Sequence, residues 1–116
     1  FQTLRQLEFM ELDHNFCLDQ ARGPLRHAAR LASARSGVAL DVSTTEPGVQ
    51  VYTADHVPQR TTGLDGISYG PRSGIALETQ VWPDAPNRID FPSAVLRPGE
   101  PLKQVTRLAF KRARRS

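Results

Sequence analysis

The stretch Val38-Ala39-Leu40-Asp41-Val42-Ser43-Thr44-Thr45-Glu46-Pro47-Gly48-Val49-Gln50-Val51-Tyr52-Thr53 decides the fold class. Side chains of a strand point to opposite faces in turn. Val38, Leu40 and Val42 therefore share one face, and Ala39, Asp41 and Ser43 the other. The same period returns after the break, with Val49 and Val51 on one side and Gln50 and Tyr52 on the other. Between the two runs, Pro47-Gly48 suits the central positions of a type II turn. Two short alternating runs joined by a turn point to paired strands rather than helices.

Working outward, Leu25 to Ser33 also alternates, although its Ala, Arg and Leu content favours a helix. It lies among strands and ends at Ser36-Gly37, so it is read as a strand closing in a hairpin turn. Leu12 to Leu18 carries Asp13, His14 and Asn15 between apolar residues. Residues 54–73 lose the pattern among Pro58, Gly63, Gly66, Gly70 and Pro71, which predicts a long irregular connection. Alternation resumes from Ile75 to Val81. There Ala76, Glu78, Gln80 and Trp82 are expected on one face, ending at the turn residues Pro83, Asp84, Pro86 and Asn87. Phe91 to Leu96 predicts a short edge strand, since Pro92 lacks an N–H for a ladder. Arg97-Pro98-Gly99-Glu100 predicts a turn, and residues 102–111 a last strand with Thr106, Leu108 and Phe110 on one face. Residues 1–12 fit either period. Five to seven short strands without a helix predict an all-β, antiparallel β-sandwich formed by residues 1–116 as one portion of a domain.

Composition agrees. The chain has 116 residues, with nine Pro and eight Gly, too many for a helical bundle. The formal charge is +3, much of it in the tail Lys111-Arg112-Ala113-Arg114-Arg115, read as a solvated chain end. No aromatic residue interleaves with those cations, so a stacking platform for nucleic acid is not expected. Cys17 is the single cysteine, which leaves no intrachain disulfide and fits a cytoplasmic home. No apolar run approaches the ~20 residues of a membrane-spanning helix. The start at Phe1 is read as the mark of a fragment.

Three polar residues stand in otherwise apolar, strand-like segments: Asp13, Gln50 and Glu78. The plain reading of each is a hydrogen-bonded residue on a wet sheet face. Asp13 and Glu78 together could also suit glycoside hydrolysis, which requires a fixed carboxylate separation. His14, His27 and His56 lack metal-ligand spacing, and Cys17 adds one ligand at most, so no metal is expected. There is no Gly-x-Ser-x-Gly elbow and no phosphate-cradling Gly loop.

Four segments together resemble the C-terminal part of the aldose 1-epimerase (galactose mutarotase) family. They are Leu12-Asp13-His14-Asn15-Phe16-Cys17-Leu18, then Thr44 to Thr53, then Leu77 to Asn87, and Phe91-Pro92 with Leu96 to Glu100. They stand in the family's order and at about its spacing, over roughly residues 12–110. The resemblance implies the C-terminal part of a large antiparallel supersandwich that interconverts α and β anomers of free aldohexoses such as galactose and glucose. It implies no metal and no cofactor. It implies Glu78 as the general base and Asp13 and Gln50 as binders of sugar hydroxyls. The position of Glu78 between Ala76 and Gln80, near Trp82, is read as partly desolvated, which suits a base. Trp82 suits either stacking on a sugar or core packing. Residues 1–11 do not match, and Leu12 stands where an aromatic is usual. The family's acid histidine lies upstream of the Asp13-His14-Asn15-Phe16 segment and has no counterpart here; His14 is not promoted to that role. The chain alone is therefore expected to be inactive. The alternative is a non-catalytic carbohydrate-binding module or an inactive truncated relic.

Overall fold

The computed structural model describes residues 11–112. The ambiguous residues 1–10 and the end of the basic tail, 113–116, lie outside it. Eight strands form among the described residues: β1 (Asp13–Cys17), β2 (Arg26–Ser33), β3 (Val38–Thr44), β4 (Gly48–Tyr52), β5 (Thr61–Thr62), β6 (Ser68–Tyr69), β7 (Ala76–Gln80) and β8 (Thr106–Arg112). The only helical segments described are two 3-10 turns, Leu64–Gly66 and Ala85–Asn87. The all-β reading therefore holds. No described helix is long and apolar enough to cross a membrane.

The chain forms two compact units, residues 11–16 with 50–78 and residues 17–49 with 79–112. The first unit holds the ends of three strands that lie in the order β1-β4-β7. The Thr53 N–H donates to the Leu12 carbonyl at 2.9 Å, and the Leu12 N–H donates to the Thr53 hydroxyl at 2.8 Å. Beyond β4 lies the connection read as irregular. It contains a small antiparallel hairpin, with Thr61 opposite Tyr69 and Thr62 opposite Ser68. Gly63 is required there, because a Cβ would fall 1.9 Å from the Tyr69 ring. The connection is also tied to its own start. Arg72 N–H donates to the Ala54 carbonyl at 3.0 Å, and Arg72 Nε to Asp55 at 2.6 Å.

The second unit is built on an antiparallel sheet ordered β2-β3-β8. The alternation of β2 prevailed over its helical composition because every residue but Ala28 finds a partner on β3, from Arg26 opposite Thr44 to Ser33 opposite Val38. A bulge between His27 and Ala29 absorbs one extra residue. Pairing of Leu40 with Phe110 and Val42 with Leu108 puts the expected apolar residues of β8 on one face. Phe110 is nevertheless 72% exposed and Leu108 54%. On the opposite face Asp41 gathers basic side chains: Lys111 Nζ at 2.6 Å, Arg30 Nη1 at 3.0 Å and His27 Nε2 at 3.7 Å.

Two predicted elements differ. Gly48 opens β4 instead of completing a type II turn, and positive φ among the described glycines is confined to Gly37, Gly66 and Gly99. Side chains hold the bend instead. The Thr44 hydroxyl accepts the Glu46 N–H at 3.0 Å, and the Thr45 hydroxyl accepts the Val105 N–H at 3.0 Å. Residues Phe91 to Leu96 form no strand. Their donors are satisfied locally, Phe91 N–H by the Arg88 carbonyl and Val95 N–H by the Ser93 hydroxyl. The turn at Arg97 to Glu100 forms as expected, with Gly99 at φ 84° and Glu100 N–H on the Arg97 carbonyl at 3.0 Å.

The Glu46 side chain is 1% exposed and pairs with Arg22 Nε at 2.8 Å, while Arg22 remains 34% exposed. This asymmetry sets an order of stability. Arg22→Met strands a buried carboxylate and is expected to cost about 3 kcal/mol. Glu46→Gln leaves a cation that water can reach and is expected to cost roughly 1 kcal/mol. Urea denaturation of the two variants checks the order. Asp41 offers a second test. The hydrogen bond from Lys111, reinforced by Arg30 and His27, holds its carboxyl below the ordinary value of 3.8. A depressed carboxylate stabilises the fold above its unfolded-state pKa and loses that contribution as pH falls through the folded value. The urea midpoints of the parent and Asp41→Asn should differ by a constant amount near neutrality and converge below about pH 3.8.

Candidate functional site

The three residues singled out by sequence all fall in the first unit. Asp13 opens β1, Gln50 sits in the middle of β4 and Glu78 in the middle of β7. β4 is the central strand of the β1-β4-β7 order. Gln50 is thus carried on the strand between those of the two carboxylates. Asp13 and Gln50 meet: Gln50 Nε2 donates to Asp13 Oδ1 at 2.8 Å across a sequence separation of 37 residues. The other end of that amide, Oε1, is buried without a hydrogen-bond donor among the described residues.

Glu78 is exposed, and its carboxylate has no hydrogen-bond or ion-pair partner among the described residues. The expected partial desolvation is therefore not present in this chain. Its supposed neighbour Trp82 lies beyond β7, which ends at Gln80, so the period of two no longer governs where the indole points. Trp82 is a core residue of the second unit. It is buried, donates its indole N–H to the Pro47 carbonyl at 2.9 Å and meets Phe91 edge-on at 5.1 Å. Arg88 covers the Phe91 ring at 4.6 Å. The reading of Trp82 as core packing holds over the reading as a sugar platform.

The first unit also contains polar contacts that the sequence did not disclose. His56 Nε2 approaches Glu11 Oε1 at 2.8 Å, its ring stacks on Tyr52 at 6.5 Å, and its N–H donates to the Tyr52 hydroxyl at 3.1 Å. Asp55 receives the Thr53 hydroxyl and Arg72 Nε, and these hydrogen bonds, Thr53 first, hold its carboxyl below the ordinary range. The one available signal was positional. Tyr52 shares the face of Gln50 under the strand period, and Thr53 and Asp55 follow directly. The partners Glu11 and Arg72 lie far off in sequence and carried no mark of their own. Among the described residues no group of three or more His, Cys, Asp and Glu side chains could hold a metal ion.

The arrangement offers acceptors. Among the described residues no donor reaches Asp13 Oδ2 and none reaches the exposed Glu78 carboxylate, while Gln50 Oε1 is buried. Such a surface can accept hydrogen bonds from a polyol and can take up a proton.

The family model described as aldose 1-epimerase matches residues 1–109. Galactose mutarotase of Mus musculus is 45% identical over 98 residues, which is 84% of this chain and 28% of that protein. Galactose mutarotase of Homo sapiens is 42% identical over 107 residues, 92% of this chain and 31% of that protein. Aldose 1-epimerase of Escherichia coli (strain K12) is 34% identical over 103 residues, 84% of this chain and 29% of that protein. The crystal structure of the GalM/aldose epimerase homologue from C. elegans superposes with a TM-score of 0.78 at 27% identity. It covers 90% of this chain and 31% of that one. The chain thus spans under a third of the length of these relatives.

The burial of Trp82 generates a test. Trp82→Phe removes one donor from the Pro47 carbonyl and is expected to lower stability by about 1–2 kcal/mol. Urea denaturation reads the effect.

Proposed function

This chain belongs to the aldose 1-epimerase family, and we propose that it supplies the base and part of the sugar grip of a mutarotase. The parent protein would interconvert the α and β anomers of free aldohexoses such as galactose and glucose. The observation that carries this reading is the 2.8 Å contact of Gln50 with Asp13, in the unit that also holds Glu78.

Opening a hemiacetal ring requires two proton movements. One proton leaves the anomeric oxygen and another reaches the ring oxygen, so a base and an acid must act together. Glu78 takes the first proton. Its open carboxylate suits that role, since no protein donor competes for its lone pairs among the described residues. Asp13 and Gln50 hold hydroxyls of the same sugar and fix the ring against the base. The acid is a histidine outside these 116 residues, because none of His14, His27 and His56 answers to it. The ring then opens, the C1–C2 bond rotates, and the reverse transfers close it on the other face. Carboxylate, amide and imidazole suffice for these transfers, and the reading needs no metal or cofactor. A lone cysteine favours a cytoplasmic home.

Polarimetry of freshly dissolved α-galactose tests the base. Full-length Glu78→Gln is expected to mutarotate galactose at least about 100-fold more slowly than the parent. Equal rates would sink the assignment. A parent protein that binds galactose in a titration yet leaves its anomers untouched would identify a non-catalytic carbohydrate-binding module.

A further inference from the structure

The contact between Asp13 and Gln50 fixes more than proximity. An ionised carboxylate only accepts hydrogen bonds. The end of the Gln50 amide that faces Asp13 must therefore be its NH2, and the 2.8 Å distance is that of a charge-assisted bond. The orientation of the amide follows. Its carbonyl oxygen is turned away from Asp13 and is buried without a donor among the described residues. Asp13 itself is exposed at the first position of β1, where a short side chain would otherwise sample several rotamers.

We infer that Gln50 is a positioning residue for Asp13: its NH2 holds Asp13 Oδ1 so that Asp13 Oδ2 is presented, preorganised, to a sugar hydroxyl. This rests on the reading of Asp13 and Gln50 as sugar-binding residues and adds that they bind as a unit. Two independent contacts would each contribute their own share of affinity. A coupled pair loses most of its affinity when either member is removed, because the remaining one is no longer held. The held Asp13 carboxylate presents an acceptor alone, so it recognises a hydroxyl group by its hydrogen. Both members act on bound sugar before and during ring opening, so their loss raises KM and spares kcat.

A double-mutant cycle on the full-length protein, read as KM and kcat for galactose, tests the coupling. Asp13→Ala and Gln50→Met are each expected to raise KM about tenfold, with kcat within about threefold of the parent. In the Gln50→Met background, Asp13→Ala should raise KM by less than about threefold further. Gln50→Glu keeps the length and shape of the side chain and removes the donor, so it should raise KM at least as much as Gln50→Met. It also replaces Gln50→Met in the cycle if that variant fails to fold. Effects that simply multiply, or a parental KM for Gln50→Glu, would overturn the positioning role while leaving both residues as sugar contacts. An unchanged KM for Asp13→Ala would overturn the sugar-binding reading and this inference with it.

Discussion

The carbonyl oxygen of Pro47 accepts three hydrogen bonds, from the N–H groups of Leu18 and Asp19 at 2.8 and 3.1 Å and from the Trp82 indole at 2.9 Å. One residue earlier, the Glu46 side chain is buried against Arg22, and the Glu46 carbonyl accepts from Arg26 Nη2 at 2.9 Å. This bend is where the chain leaves β3 for β4, and the strand that carries Gln50 starts directly after it. Buried backbone acceptors must be satisfied. The second unit meets that requirement by bringing segments distant in sequence to two adjacent residues.

A buried carboxylate is an expensive way to hold a bend, because its desolvation can exceed what its partner returns. Here the cost is contained by contacts from several segments. The Thr44 hydroxyl accepts the Glu46 N–H, Arg22 faces the carboxylate, and the Val105 carbonyl and N–H are engaged by Thr45. The same economy recurs at the end of β7, where the Thr79 and Thr106 hydroxyls meet at 2.5 Å and Gln104 donates to the Thr79 carbonyl at 2.8 Å. Directional polar contacts define the strand ends of this unit, while hydrophobic burial alone would permit register slips.

The proposed chemistry uses the opposite condition. Asp13 and Glu78 are exposed carboxylates, and Gln50 keeps an unsatisfied acceptor. Groups meant to receive hydroxyl hydrogens must not be saturated by the protein. The contrast between the saturated bend at Glu46-Pro47 and the exposed acceptors at Asp13 and Glu78 separates residues that hold the fold from residues open to solvent. It also explains why Trp82, an apparent sugar platform by composition, belongs to the first class: its one polar atom is already engaged by Pro47.

Much of this was legible in the sequence. The period of two in β2, β3, β4 and β7 reflects side chains projecting to opposite faces, a property of the backbone that needs no tertiary partner to be read. That period, with the four ordered motifs, determined the all-β class and marked Asp13, Gln50 and Glu78. It even carried β2 past its helical composition. Other features depended on partners supplied from elsewhere in the chain. Pro47-Gly48 lost its turn to side-chain contacts from Thr44 and Thr45, and Phe91 to Leu96 lost its strand to local acceptors. The hairpin at Thr61–Tyr69 and the pair of His56 with Glu11 left no mark in composition. The sequence by itself thus determined the all-β class and marked the polar residues Asp13, Gln50 and Glu78, because local periodicity and motif order are one-dimensional. Only the tertiary structure decided that Gln50 donates to Asp13 and that the Trp82 indole packs against Pro47 and Phe91, because hydrogen-bond partners are chosen by proximity in space.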